Sequence, residues 1–286
     1  MNNFEHQLRK ATQFEKEGKY LHAIQIYLQM FELPEYKRSA TLRLASIYDK
    51  LNNFQSSVSI IEKYLDEEPH DDEIRKFFAQ ILIRNFHYDK ALDVLSALPR
   101  TEHNDIFYLM GVSNFHLMNF EIAKINFEDF IAKNKTSELV PESYLYIAKA
   151  NIELGNLDEA LRSAKSSEWF LNRNHELYLT LATIYYYKEM YFHAHESILK
   201  SLKLNPKEPG IKSMAGKILF RMGEFEKAEK YLREYVEVEN SDSDIYSLLG
   251  KVCLKNNKKK DAESFFSIAL ELDPHNSAAK EGKNLC

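Results

Sequence analysis

Residues 254–274, LKNNKKKDAESFFSIALELDP, align with an earlier stretch of the chain, GEFEKAEKYLREYVEVEN at 223–240. The alignment places Ala228 opposite Ala262, at a separation of 34 residues. Stepping back by 32, 34 or 37 residues gives a first ladder of small residues: Ala23, Ser57, Ala91, Ala123, Ala160, Ala194, Ala228 and Ala262. A second ladder lies twelve residues before the first: Ala11, Ala45, Ala79, Gly111, Ala148, Ala182, Gly216 and Gly250. A period in this range predicts an array of repeats.

Each repeat carries two helical patterns. In the sixth repeat, residues at i, i+3, i+4 and i+7 form one apolar face: Tyr178, Leu181, Ala182 and Tyr185. After a short polar turn, Ala194 and Ile198 mark a second helix, which ends before Pro206 because proline cannot continue a helix. Small residues suit the points where two paired helices approach most closely. Aromatic residues precede most of the second helices and are predicted to fill the turns: Tyr20, Phe54, Tyr88, Phe120, Tyr191 and Phe225.

The period, the helix pair, the two ladders and the terminal proline together resemble the tetratricopeptide repeat family. The resemblance covers nearly the whole chain and implies an all-α, right-handed superhelical solenoid of about eight helix pairs. The predicted single array spans 1–276, with units at about 4–37, 38–71, 72–103, 104–140, 141–174, 175–208, 209–242 and 243–276, and a short C-terminal cap or tail at 277–286. Polar Gln7 and Lys10 suit an N-terminal cap. Pro99 and the segment NKTSELVP at 134–141 break the period and predict a local change of superhelical pitch between about residues 96 and 142.

Composition limits the classes of function. The formal net charge of −5 argues against a protein whose main task is to bind nucleic acid. Two cysteines are too few for a disulfide framework and suit a reducing compartment. No secretory signal and no apolar run of membrane-spanning length is visible, so a cytoplasmic protein is expected. Richness in Lys, Asn, Phe, Tyr and Ile suggests an AT-rich, bacterial genome.

No motif for catalysis is found. Gly216-Lys217 lacks the glycine spacing of a P-loop, and Ile218 stands where a magnesium ligand is needed. His193 and His195 are two residues apart on a helix and point to different faces. Cys253 is predicted to be a buried structural cysteine, and the exposed run Lys258–Lys260 a solvated turn rather than a nucleic-acid site. The sequence therefore predicts no enzyme, no cofactor and no metal site.

The resemblance implies that the first helix of each repeat lines a concave groove. Helical geometry then selects the side chains that share a face distinct from the packing face. The predicted partner-binding groove consists of Ile83, Tyr108, Val112, Phe115, Leu145, Lys149, Ile152, Leu179, Thr183, Tyr186, Lys217, Phe220, Lys251 and Leu254. Aromatic residues in its middle and lysines towards its C-terminal end suit a peptide with apolar anchors and some acidic character. The alternative is that these side chains only fill the interior of the superhelix.

These patterns favour a protein–protein interaction scaffold or adaptor that binds a protein or peptide segment, with no nucleic acid and no membrane span. One alternative is a self-assembling structural component that makes contacts through its ends or convex face. Incomplete cover over Phe265, Phe266 and Leu270 in the last full helix would favour self-association through the C-terminal end. An enzyme or nucleic-acid-binding protein is the alternative from another class.

Overall fold

The computed structural model describes residues 3–99 and 104–286, and all of the regular secondary structure in these ranges is α-helical. Seventeen helices are found there: α1 Asn3–Lys16, α2 Tyr20–Phe31, α3 Pro34–Lys50, α4 Phe54–Glu67, α5 Asp72–Arg84, α6 Tyr88–Ser96, α7 Ile106–His116, α8 Phe120–Lys133, α9 Val140–Glu153, α10 Leu157–Glu168, α11 His175–Tyr187, α12 Tyr191–Leu204, α13 Pro209–Arg221, α14 Phe225–Val236, α15 Ser243–Lys255, α16 Lys259–Leu272 and α17 Ser277–Lys283. The all-α fold predicted from the sequence is confirmed.

Two compact units divide the chain, Met1–Ser137 with α1–α8 and Glu138–Cys286 with α9–α17. Within each unit, odd-numbered helices pack against the even-numbered helices that follow them, and each such pair packs against the next. We call the segment inside a pair the hairpin turn and the segment between pairs the connection. The predicted change of superhelical pitch includes residues 100–103, which lie outside the described residues, and it stays a prediction.

Helix starts differ from two of the predicted repeat boundaries. The boundary 37/38 falls inside α3, which begins at Pro34, and the boundary 140/141 falls just inside α9. Proline at the first or second position of a helix loses no helical hydrogen bond, so Pro34 starts α3 early. At the boundary 71/72, Asp71 caps α5, because its Oδ1 accepts a hydrogen bond of 3.1 Å from the Ile74 amide.

Both small-residue ladders are fully buried, as the sequence predicted. The two ladders also contact each other: the Ser57 hydroxyl donates a 3.0 Å hydrogen bond to the carbonyl of Ala45 across its pair. In three pairs the second ladder carries glycine, and a Cβ added at Gly216 would lie 2.5 Å from Leu232. Small side chains are therefore required where paired helices are closest.

The hairpin turns share one backbone feature. Each has one residue with positive φ, and these residues recur with the period of the ladders: Gly18, Asn52, Phe86, Met118, Gly155, Glu189, Gly223 and Asn257. The aromatic residues predicted to fill the turns are each the first residue of the second helix of a pair, and each is half-buried. The left-handed residue reverses the chain, and the aromatic side chain covers the turn from one side.

The C-terminal end is covered by α17. Ala279 is fully buried, and a Cβ at Gly282 would lie 2.2 Å from the ring of Phe266, which is itself fully buried. Asn276 fixes the start of α17, because its Oδ1 accepts from the Ala279 amide at 2.9 Å and its Nδ2 donates to Ser243 at 2.8 Å. The expectation of an incompletely covered end is wrong for Phe266, while Phe265 and Leu270 are half-buried. In the described part of the chain, no helix combines the length and apolarity that crossing a membrane requires.

Candidate functional site

The predicted groove residues all lie on the first helices of the pairs, and they are divided between the two units. The first unit holds Ile83 on α5 and Tyr108, Val112 and Phe115 on α7. The second unit holds Leu145, Lys149 and Ile152 on α9, Leu179, Thr183 and Tyr186 on α11, Lys217 and Phe220 on α13, and Lys251 and Leu254 on α15. Each unit therefore carries its own part of the predicted groove.

Burial removes two residues from the predicted groove. Val112 and Leu145 are buried, and Leu145 belongs to a core cluster with Ala148 and Leu181, so neither side chain is open to a ligand. The prediction that these two residues face a partner is therefore wrong. The groove face and the packing face are adjacent on a helix, and these two positions turn towards the core. The other residues of the predicted groove are half-buried.

Three of the four aromatic residues of the predicted groove, Phe115, Tyr186 and Phe220, pack against their own hairpin turns. The ring centroids of Phe115 and Phe120 are 5.6 Å apart, those of Tyr186 and Tyr191 5.9 Å, and those of Phe220 and Phe225 5.7 Å. In each pair one ring belongs to the last turn of the first helix and the other begins the second helix, and the rings meet at the tilted or edge-on angles that aromatic pairs prefer. One side of each of these three rings thus stabilises the turn, which agrees in part with the alternative that the groove residues fill the interior.

The three groove lysines of the second unit differ in whether a carboxylate neutralises them. The Lys149 ammonium lies 2.7 Å from Oε2 of Glu176, and this hydrogen bond lowers the pKa of the Glu176 carboxyl. Within the part of the chain that the structure describes, neither Lys217 nor Lys251 has a carboxylate at ion-pair distance. The C-terminal part of the groove therefore offers two uncompensated positive charges. One helical turn before Lys251, the buried Ser247 hydroxyl has no hydrogen-bond partner.

The first unit shows the opposite balance. Glu15 and Asp49 occupy its groove positions before Ile83, but both are neutralised by basic side chains. The Glu15 carboxylate lies 3.6 Å from Arg43 and 3.8 Å from Lys50. The Asp49 carboxylate lies 3.0 Å from Arg84, which belongs to the same helix as Ile83. At the described groove positions, the charges without an ion-pair partner, Lys217 and Lys251, therefore lie in the second unit.

The lysine run at the last hairpin turn is only partly a solvated turn. All three lysines are exposed as predicted, but the Lys258 ammonium also lies 2.9 Å from both carboxylate oxygens of Glu229, a buried residue of α14. Arg233 pairs with the same carboxylate at 2.9 Å. Burial raises the pKa of Glu229, but hydrogen bonds from Lys258, Asn256 and Arg233 outweigh it and hold that pKa below its ordinary value. Through this ion pair, Lys258 joins the last hairpin turn to α14 of the preceding repeat.

Cys253 lies next to this ion pair and behaves as a structural residue. Its thiol, Glu229 and Asp261 have potential ligand atoms within 4.8 Å of one another. The carboxylate of Glu229 is already neutralised by two cations, and burial raises the pKa of the Cys253 thiol to about 11. A metal needs the deprotonated thiolate, so this group fits a divalent cation poorly. The burial predicted for Cys253 is confirmed, and Cys286 is exposed.

A third ladder, not found among the predicted site residues, lies at the connections of the second unit. It consists of Phe170, Leu204, Val238 and Leu272, which we call the connection ladder. All four side chains are exposed, and they are spaced 34 residues apart, ten residues after members of the first ladder. Its period is readable from the sequence, whereas its exposure is not.

Stacked helix pairs, buried small-residue ladders and left-handed hairpin turns define an α-solenoid of helical hairpins. Models of the family described as tetratricopeptide repeat match residues 50–111 and 213–277. The chain therefore contains tetratricopeptide repeats in these two segments.

Similar proteins agree with this fold. The anaphase-promoting complex subunit 3 of Schizosaccharomyces pombe (strain 972 / ATCC 24843) is 22% identical over 223 residues, which are 76% of this chain and 33% of that protein. A chain of the APC/C hetero-tetramer Cut9–Hcn1 aligns with all of this chain and 57% of its own length, at a TM-score of 0.71 and 14% identity. The C-terminal part of a TPR repeat-containing protein from Cytophaga hutchinsonii covers 84% of this chain and 98% of its own length, at a TM-score of 0.56 and 19% identity. This chain spans about a third of the curated relative, and the structural likenesses show the fold.

Proposed function

We propose that this protein is a non-enzymatic scaffold or adaptor that binds a protein or peptide segment along the first helices of its repeats. Its ligand carries apolar anchors and acidic residues. The observation that carries the proposal is the pair of unneutralised lysines, Lys217 and Lys251, on the same face as half-buried Phe220 and Leu254. The division of the array into eight repeats is also part of this proposal. In it the second repeat begins with α3 at Pro34 and the fifth repeat begins with α9 at Val140.

Charge and shape support an extended, partly acidic ligand. Lys217 and Lys251 are equivalent residues of two neighbouring repeats, since they are 34 residues apart and α13 packs against α15. Two positive charges about 10 Å apart can receive carboxylates several residues apart on one extended peptide. Phe220 and Leu254 lie three residues after the lysines and provide apolar contact next to each charge.

The family fold supports an interaction role in general. Stacked repeats of this kind present long surfaces to other proteins. The relative from Schizosaccharomyces pombe is a subunit of a complex, and we propose by analogy that this chain also takes part in an assembly.

Selection from a displayed peptide library on the immobilised full-length chain tests the proposal. Enriched peptides should combine apolar anchors with acidic residues. In a fluorescence anisotropy titration, the double variant Lys217→Glu, Lys251→Glu should raise the dissociation constant of an enriched peptide at least about tenfold.

The matched control is Lys255→Glu, Lys260→Glu, which changes the net charge equally at two exposed lysines near the last hairpin turn. It should leave peptide affinity unchanged. Peptides that bind the groove variant as tightly as the parent protein would move the ligand site elsewhere. Circular dichroism of both variants establishes that they are folded.

A further inference from the structure

The connection ladder places one exposed apolar side chain at each of four successive repeats along one edge of the second unit. Its four members are between 41% and 70% exposed. Phe170 follows the end of α10, Leu204 and Leu272 end α12 and α16, and Val238 lies in the connection after α14. Each second helix packs against the next first helix, so successive connections lie side by side, about 10 Å apart. Trp169, the single tryptophan, widens this edge and is even more exposed than Phe170.

The first unit has no such edge at its described positions. The same phase of the repeat there holds half-buried Leu33 and the charged residues Glu67 and Lys133. Residue 101, the remaining equivalent, lies outside the described residues. Four large apolar side chains in one phase of one unit are the kind of contiguous exposed patch that marks an interaction surface.

Charges along this edge change sign at its middle. The exposed cations Arg173, Lys203 and Lys207 lie in or next to the connections at Phe170 and Leu204. The connections at Val238 and Leu272 carry the exposed carboxylates Glu237, Glu239, Glu271 and Asp273. Among the described residues, no ion pair joins any of these seven side chains to another charge. One half of the edge is therefore basic and the other half acidic.

We propose that this edge binds a second copy of the same chain, in a two-fold symmetric and antiparallel homodimer. A two-fold interface pairs the same surface on both copies, so each contact occurs twice. The antiparallel arrangement places Lys203 and Lys207 of one copy against Glu237 and Glu239 of the other. It also places Arg173 opposite Glu271, and the connection ladder of one copy against that of the other. A parallel arrangement would instead oppose like charges, which is unfavourable.

Symmetry is the reason to prefer a second copy over an unrelated partner. An unrelated protein would have to match a basic half and an acidic half separately, whereas an antiparallel copy matches both. The edge lies at the connections and not on the groove positions of α13 and α15, so this dimer does not depend on the proposed peptide binding.

Sedimentation velocity of the full-length chain, at low and at high salt, tests the dimer. We expect a dimer that weakens as salt is added, because exposed charge pairs are screened. The basic-half variant Lys203→Glu, Lys207→Glu and the acidic-half variant Glu237→Lys, Glu239→Lys should each raise the dimer dissociation constant at least about tenfold. An equimolar mixture of the two variants should recover the dimer, because the reversed halves are complementary.

Lys255→Glu, Lys260→Glu alters net charge as much as the basic-half variant and should leave the dimer intact. Monomer at protein concentrations of about 1 mM, where even weak affinity is visible, would overturn the proposal and assign the edge to another partner. A dimer that survives both reversals, or variants that do not recover on mixing, would overturn the antiparallel arrangement.

Discussion

Gly216 and Gly223 lie seven residues apart, and the same residue type is needed at each for a different reason. At Gly216, inside a helix pair, an added Cβ would lie 2.5 Å from the side chain of Leu232. At Gly223, in the hairpin turn, an added Cβ would have no neighbour within 4 Å, but φ is 81°. The interior of a pair is limited by space, and the turn by backbone conformation. Substitutions that add only a methyl group separate these two constraints.

The largest effect is expected from Gly216→Ala. The methyl group forces the buried Leu232 side chain to shift, and overpacking of this kind costs about 1–3 kcal/mol of unfolding free energy. Urea denaturation followed by circular dichroism measures the change. The matched control is Gly210→Ala, also in α13, where the added Cβ finds no atom closer than 4.0 Å.

Gly210→Ala should stabilise the protein by about 0.5–1 kcal/mol, because alanine loses less backbone freedom than glycine in a helix. Equal effects of the two substitutions would show that space does not limit the interior at Gly216. In a Leu232→Ala background, Gly216→Ala should cost less unfolding free energy. An earlier pair already has alanine at both positions, because Ala148 is equivalent to Gly216 and Ala164 to Leu232, and both alanines are fully buried.

A smaller loss is expected from Gly223→Ala in the hairpin turn. The left-handed conformation, which glycine adopts freely, costs alanine about 1 kcal/mol of unfolding free energy. Gly223→Asn should cost less, because asparagine tolerates this conformation and occupies it at Asn52 and Asn257. If alanine and asparagine were equally destabilising in urea denaturation, backbone conformation would not be the cause.

The interior was easier to predict from the sequence than the turns and surfaces. Spacing of small residues reports direct contact between paired helices, so both ladders and the helix pairs followed from it. The ion pair of Lys258 with Glu229 joins a hairpin turn to a helix of the preceding repeat, 29 residues away, and no local pattern encodes it. Val112 and Leu145 were misplaced because one helical step separates the groove face from the packing face. The cover that α17 gives Phe266 depends on how a short helix docks, and periodicity does not describe this.

The smallest effect, and the only gain among the turn variants, is expected from Phe86→Asn. Phe86 has φ of 64° and is 79% exposed, so it bears the strain of the left-handed region while burying little apolar surface. Asparagine should raise the unfolding free energy by about 0.5–1 kcal/mol, because it adopts this conformation more readily. The control is Phe192→Asn, an equally exposed residue in the helical first turn of α12, where asparagine should give no gain.

If Phe86→Asn failed to stabilise the protein, the edge-on contact of Phe86 with Tyr88 at 6.4 Å would outweigh the backbone strain. The turn would then be governed by side-chain packing, as the interior is, and the contrast between Gly216 and Gly223 would hold only for turns that carry glycine.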